Sequence, residues 1–202
     1  MIEIIETCEQ GTPEWDAYRL GSIGGSSISK VCAKGQGSTR KTFLDHMAGE
    51  LLSGIKYKGR STEDMENGTE REPDARNLYA LMKDADVRQV ALIRSEPYKH
   101  ISPDGLVFAE GMIEVKSPTP GVHARTVFEG RVPPKHWPQI QWGLSISARL
   151  WCDFVSYCPM IVDRPIFIVR AHRDEKLIAE MHQEANQFIK EMLAIVEKVK
   201  NP

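Results

Sequence analysis

The run over residues 102–118, SPDGLVFAEGMIEVKSP, constrains this chain more than any other. Two apolar segments flank a Glu-Gly pair, so it reads as a β-hairpin. One strand is expected over residues 105–109, a turn at Glu110-Gly111, and a second strand over residues 112–116. Strand alternation puts Met112, Glu114 and Lys116 on one face and Ile113 and Val115 on the other. Asp104 stands at the mouth of the first strand beside Gly105, whose missing side chain lets a backbone or a phosphate come close. Two carboxylates and a lysine can hold a divalent cation and activate a water, the chemistry of phosphodiester hydrolysis.

The bare spacing also fits a surface hairpin with a solvated Glu–Lys pair, which contributes little to stability. Both strands are apolar enough to be central, however. A charged pair on a buried strand is costly unless a function requires it.

Ser102-Pro-Asp104-Gly-Leu, followed by Ile113-Glu-Val-Lys-Ser-Pro118, closely resembles the signature of the lambda-exonuclease family. These are the YqaJ-type viral recombinases of the PD-(D/E)xK nuclease superfamily. Three further segments carry the resemblance in the same order: Trp15-x-x-x-Arg19-Leu-Gly-x-Ile-x-x-Ser26, Gly68-x-x-x-Glu72-x-Asp-Ala-Arg76, and Pro138-Gln139-Ile-Gln141-Trp142. Together they span most of the chain.

The resemblance implies a single α/β domain over residues 1–202, with a central mixed β-sheet flanked by helices and a restriction-endonuclease-like core. It implies a metal-dependent 5′-to-3′ exonuclease. Such an enzyme degrades one strand of double-stranded DNA from its ends and leaves 3′ overhangs for recombination by single-strand annealing. Asp104 and Glu114 would hold two Mg²⁺ ions roughly 4 Å apart, with the Val115 carbonyl as a third ligand and Mn²⁺ as a substitute. Glu72 would anchor the second ion. Lys116 would orient or deprotonate the attacking water, and Gln139 would position the nucleophile or the scissile phosphate. Arg19 and Ser26 would take the 5′-terminal phosphate, with Arg40 as a third ligand. The resemblance further implies a ring-shaped homotrimer threaded by DNA, an annealing protein as partner, and a phage or prophage protein in a bacterial host.

Composition frames these expectations. The 202 residues are 41% apolar, enough for one packed core, and the formal charge is −2. A nonspecific DNA binder is usually basic, so a phosphate-binding surface here must be local or built between subunits. Basic clusters occur at Lys30, Lys34, Arg40 and Lys41, and at Lys56, Lys58 and Arg60. Cys8, Cys32, Cys152 and Cys158 show no CxxC spacing, so neither a zinc site nor a redox pair is suggested. No signal sequence or membrane-spanning run is read, and a cytoplasmic protein with reduced thiols is expected.

Along the chain, Thr12-Pro13 opens a short helix bearing Trp15, Tyr18 and Arg19. The glycines and hydroxyls of residues 21–27 lead into a helix, a pattern that reads either as a flexible turn or as an anion site made from backbone N–H groups. An amphipathic helix is expected over residues 39–52, and a second helical stretch over residues 61–82. Pro73 breaks or kinks the second of these: either two helices simply meet at Glu72, or the break aims Glu72 at the hairpin. Strands follow at 87–94 and 98–101, helices at 123–131 and from Pro133 to about residue 147, and strands at 151–157 and 166–170. A final helix is capped by Asp174. Gln139, Gly143 and Ile146 share one helical face.

Two other readings are weighed: a restriction-type endonuclease, and a catalytically inactive DNA-binding module on the same fold. The module is disfavoured because Asp104, Glu114 and Lys116 are all present. The endonuclease is disfavoured because a terminal-phosphate pocket commits an enzyme to DNA ends. An iron–sulfur nuclease lacks its fourth thiol near Cys152 and Cys158.

Overall fold

The chain opens with strand β1 (Glu3–Ile5) and helix α1 (Pro13–Tyr18). Thr12 caps α1, its Oγ1 accepting the Trp15 N–H at 3.4 Å, with Pro13 in the first turn, as the Thr-Pro pair predicts. A 3₁₀ turn (Gly25–Ser27) leads into the short α2 (Ile28–Val31), followed by α3 (Thr39–Ser53), which ends at Gly54 in the left-handed region, φ 69°. Next come α4 (Glu63–Lys83), β2 (Val87–Arg88), β3 (Leu92–Glu96) and β4 (Lys99–Ile101). The hairpin strands are β5 (Gly105–Val107) and β6 (Gly111–Lys116). The chain closes with α5 (Pro120–Glu129), α6 (Trp137–Ser147), β7 (Trp151–Tyr157), β8 (Ile166–His172) and α7 (Glu175–Lys200). These elements come from a computed structural model that describes residues 2–33, 38–57 and 63–201, with all side chains except those of 63–67 and 69. Lys34, Lys58, Arg60, Ser61 and the side chain of Asp64 lie outside the described residues.

A five-stranded mixed sheet runs in the order β2-β5-β6-β7-β8, and a separate antiparallel sheet runs β1-β3-β4. In the larger sheet β6 and β7 are parallel and every other pair is antiparallel. The parallel pairing needs a long crossover; α5 and α6 lie within it. One face of the sheet presents Leu106, Met112, Cys152 and Phe154 to α6, α7, α3 and α2. The other presents Val107, Ile113, Val115 and Val155 to Ala75 and Tyr79 of α4. This split follows from strand alternation, and it sends Glu114 and Lys116 toward α6.

The structure changes several expectations in detail. The first hairpin strand stops at Val107, the turn is Phe108–Glu110, and Gly111 belongs to the second strand, opposite Val107. Gly111 suits a strand here because the Trp151 ring lies against it; a Cβ would come within 2.1 Å of that ring. The glycine expected to admit a backbone or phosphate, Gly105, instead makes room for Val87, whose Cγ1 would be 2.4 Å from a Cβ. The strand expected over 87–94 is two strands in different sheets. Helix α4 continues through Pro73 as one element, although proline has no N–H to give the helical ladder. No helix junction is needed to aim Glu72. The helix expected over 123–131 starts at Pro120 and ends at Gly130, φ 65°.

Candidate active site

Strand β6 supplies the centre of the site. Glu114 is buried, 3% exposed, and accepts a hydrogen bond from Gln139 Nε2 at 2.6 Å and the Lys116 ammonium at 2.5 Å. Gln139 reaches it because Gly143, one turn further along α6, lets the helix settle on Met112; a Cβ there would lie 2.8 Å from Met112 Cε. Gln141 faces away, bonding the His172 carbonyl and accepting the Asp174 N–H, and is a packing amide. Asp104 sits just before β5 and accepts the Val115 N–H on Oδ2 at 2.6 Å, which ties it to the ligand strand.

Helix α4 brings the third carboxylate. Glu72 pairs with Arg76 one turn later, and Arg76 Nε donates to the Asp104 carbonyl at 2.8 Å. Arg76 is itself 8% exposed. It joins the glutamate helix to the mouth of the hairpin, a role the linear sequence did not disclose. The i,i+4 spacing from Glu72 was the available signal.

The charges act on one another. Burial and then the Glu114 carboxylate raise the Asp104 pKa well above the usual range, with Glu72 adding and Lys116 opposing. Burial works against the Lys116 ammonium, but Glu114, Asp104 and Glu72 outweigh it and raise its pKa. Lys116 is therefore held protonated in the metal-free site, where it can donate and orient but not deprotonate a water. The donor set suits a hard divalent cation: every candidate ligand is an oxygen, and three carboxylates face two protein cations. Among the described residues no three His, Cys, Asp or Glu side chains stand as a ready-made cage. Instead Glu114 and Glu72 are each engaged by a basic side chain of the protein.

A cavity of about 190 Å³ adjoins this centre, and Arg19, Ser26, Glu114 and Gln139 all line it. The floor is built by the 3₁₀ turn, which packs on α6: a Cβ on Gly25 would lie 3.3 Å from Gln139 Cγ. Ser27 Oγ closes the turn by accepting the Gly24 N–H at 3.0 Å. The Arg19 guanidinium stacks 3.6 Å over the Trp15 ring. Trp15 Nε1 in turn donates to Ser102 Oγ and to the Ala91 carbonyl, both at 3.0 Å. Ser102 and His100 also line the cavity. Glu72 lines a neighbouring cleft, which shares Gln10 with the first.

Arg40 is not brought to this cavity. It makes a bidentate ion pair with Glu191 of α7, at 2.7 and 3.1 Å, and lies 5.4 Å from the Phe188 ring. Its position near the start of α3 points it across the helix pair, so it stands here as an interhelical tie rather than a phosphate ligand.

A mixed sheet whose central strand carries Glu-x-Lys, with an aspartate at the hairpin mouth and a glutamate on a flanking helix, defines a PD-(D/E)xK-like fold. The model of the YqaJ-like viral recombinase domain matches residues 14–149, and the chain belongs to that family. An alkaline exonuclease from Laribacter hongkongensis, LHK-Exo, is 34% identical, superposes with a TM-score of 0.85, and is matched over 94% of this chain and 96% of that one. The same enzyme in complex with dAMP gives a TM-score of 0.87 at the same identity and coverage. A phage-related exonuclease from Haemophilus somnus 129PT shares the fold at 16% identity, TM-score 0.67, over 92% of this chain and 99% of that one. No curated protein matches the chain. Among the described residues, no helix is long and apolar enough to cross a membrane.

Proposed function

We propose that this protein is a Mg²⁺-dependent exonuclease that digests one strand of duplex DNA 5′ to 3′ and leaves 3′ overhangs for single-strand annealing. The observation that carries the reading is the shared cavity: Arg19 and Ser26 line the same space as Glu114 and Gln139. A terminal phosphate held by the first pair places the adjoining phosphodiester near the second. Asp104, Glu114 and the Val115 carbonyl would hold one ion, and Glu72 a second. A divalent cation bound there supplies Lewis-acid polarisation of the phosphate and a more acidic water. Gln139 holds Glu114 in register, Arg76 holds Glu72, and the Lys116 ammonium donates to the attacking water or to the developing charge.

Digestion of 5′-phosphorylated and 5′-hydroxyl duplexes with Mg²⁺ tests polarity and end recognition together. Phosphorylated ends are expected to be digested faster, with products released from the 5′ end. Arg19→Ala should slow phosphorylated ends by about tenfold and erase the preference, because it removes a charge-assisted phosphate contact. A 3′-to-5′ product ladder would refute the assignment.

The proposal extends to assembly. A subunit of charge −2 has little electrostatic grip on DNA. A closed homotrimer with its Lys and Arg residues turned inward would retain a duplex topologically. Light scattering without DNA is expected to show a trimer at micromolar concentration; a dominant single-subunit mass rules the ring out. The proposed setting is the cytoplasm of a bacterial host, with an annealing protein as partner.

A further inference from the structure

The cavity contains an imidazole with no place in the mechanism above. His100 on β4 is 3% exposed, and both its ring nitrogens are engaged. Arg19 Nε lies 3.3 Å from Nε2, and Ser22 Oγ lies 2.8 Å from Nδ1. An arginine Nε can only donate, so Nε2 must be the acceptor. The proton then sits on Nδ1 and is donated to Ser22 Oγ. The ring is neutral and in a single tautomer. Burial, reinforced by the Arg19 and Lys56 charges, lowers its pKa to about 3, so it stays an acceptor throughout the physiological range.

The surroundings leave this ring little freedom. The His100 N–H donates to the Ile23 carbonyl at 3.0 Å, and the Trp142 indole donates to the His100 carbonyl at 3.2 Å. Gly24 passes so close that a Cβ would lie 2.8 Å from Nε2. The backbone next to Arg19 is also fixed. Lys56 Nζ donates to the Arg19 carbonyl at 3.3 Å, and buried Glu50 accepts both Lys56 at 2.7 Å and the Gly21 N–H at 3.0 Å. What remains to be set is the plane of the guanidinium. The Trp15 face and the His100 Nε2 bear on it directly, with Asp16 Oδ1 a looser 3.7 Å from one terminal nitrogen.

We infer that His100 is a positioning residue for end recognition, orienting Arg19 through Nε so that the guanidinium lining the cavity is held in the plane that meets the phosphate. The inference rests on the terminal-phosphate reading above. A protonated or absent imidazole would leave Arg19 stacked on Trp15 and drawn toward Asp16, with no directional hydrogen bond to fix its plane, and a bidentate grip on phosphate depends on that plane.

The test compares wild type, His100→Ala, His100→Gln and Gly24→Ala on duplexes with 5′-phosphate or 5′-hydroxyl ends. Glutamine can place an amide oxygen where Nε2 stood and accept the same hydrogen bond. The phosphate preference, as a ratio of kcat/KM values, is expected to fall about tenfold in His100→Ala, with the loss in KM. His100→Gln should keep it within about threefold, and Gly24→Ala, which crowds Nε2, should lose it as His100→Ala does. In parallel, the ¹H–¹⁵Nε signal of Arg19 should be slow to exchange in wild type and His100→Gln and fast in Gly24→Ala. Should His100→Ala fail to fold, the other two variants still decide. A wild-type preference that survives in Gly24→Ala and His100→Ala overturns the inference alone, as does a His100→Gln protein no better than His100→Ala. Absence of any preference in the wild type overturns the terminal-phosphate reading and this inference with it.

Discussion

Lys116→Ala is expected to lower the single-turnover cleavage rate by at least about a hundredfold while leaving metal-dependent DNA binding largely intact. The ammonium sits 2.5 Å from Glu114 and is held charged by the carboxylates around it. It cannot ligate a metal in that form, yet it shares a strand face with a proposed ligand. Its removal therefore takes away a donor to the reacting groups and leaves the oxygen ligands in place. Binding measured in Ca²⁺ and turnover measured in Mg²⁺ separate the two effects. Lys116→Gln controls for the loss of an ion-pair partner at buried Glu114. A Lys116→Ala enzyme that keeps more than a tenth of wild-type turnover would count against the catalytic role.

What the linear sequence disclosed follows the range of the interactions. The hairpin was legible because its signal is local: alternating apolar residues on β6 and a ligand-rich mouth lie within a few residues of one another. The same holds for the Thr12 cap and for Asp174, whose side chain accepts the Leu177 N–H at 3.0 Å. The closing pair β7 and β8 was equally plain. Strand β1 was not, since three residues are too short to show a period. Residues 87–94 read as one strand because nothing local marks the change of sheet between Arg88 and Leu92.

The candidate site shows the same division. Asp104, Glu114 and Lys116 could be nominated from spacing, and Glu72, Gln139, Arg19 and Ser26 only through the family resemblance. The structure brings Gln139 onto Glu114 and sets Arg19 and Ser26 on the same cavity. Arg40, nominated through the same resemblance, is turned to Glu191 of α7, a partner 151 positions along the chain that nothing local announces. His100 left no trace in the sequence. A buried histidine resembles any other until Arg19 and Ser22, remote along the chain, are seen against its two nitrogens. Gly105 drew a ligand-based explanation when its neighbour was Val87.

Asp104→Asn is expected to abolish cleavage and, in the metal-free protein, to raise thermal stability. The first effect follows from the loss of an anionic oxygen that a hard cation requires; Mg²⁺ or Mn²⁺ binding by calorimetry should fall with it. The second follows from burial and then the Glu114 and Glu72 carboxylates, which raise the Asp104 pKa against the pull of Lys116. A carboxyl whose folded pKa exceeds its unfolded value binds its proton more tightly in the folded state. Its contribution to stability is then lost as pH rises above the unfolded pKa, and the penalty is complete above the folded one. Asparagine keeps an oxygen for the Val115 N–H and carries no charge to repel Glu114. With chelator present at neutral pH, its Tm should exceed that of wild type by roughly 2–4 °C, and the difference should shrink on acidification. Saturating Mg²⁺ should reverse the order, because the cation stabilises only the protein that binds it. Unchanged metal binding in Asp104→Asn would remove the ligand assignment, and a lower Tm in chelator would show that the carboxylate stabilises the fold rather than straining it.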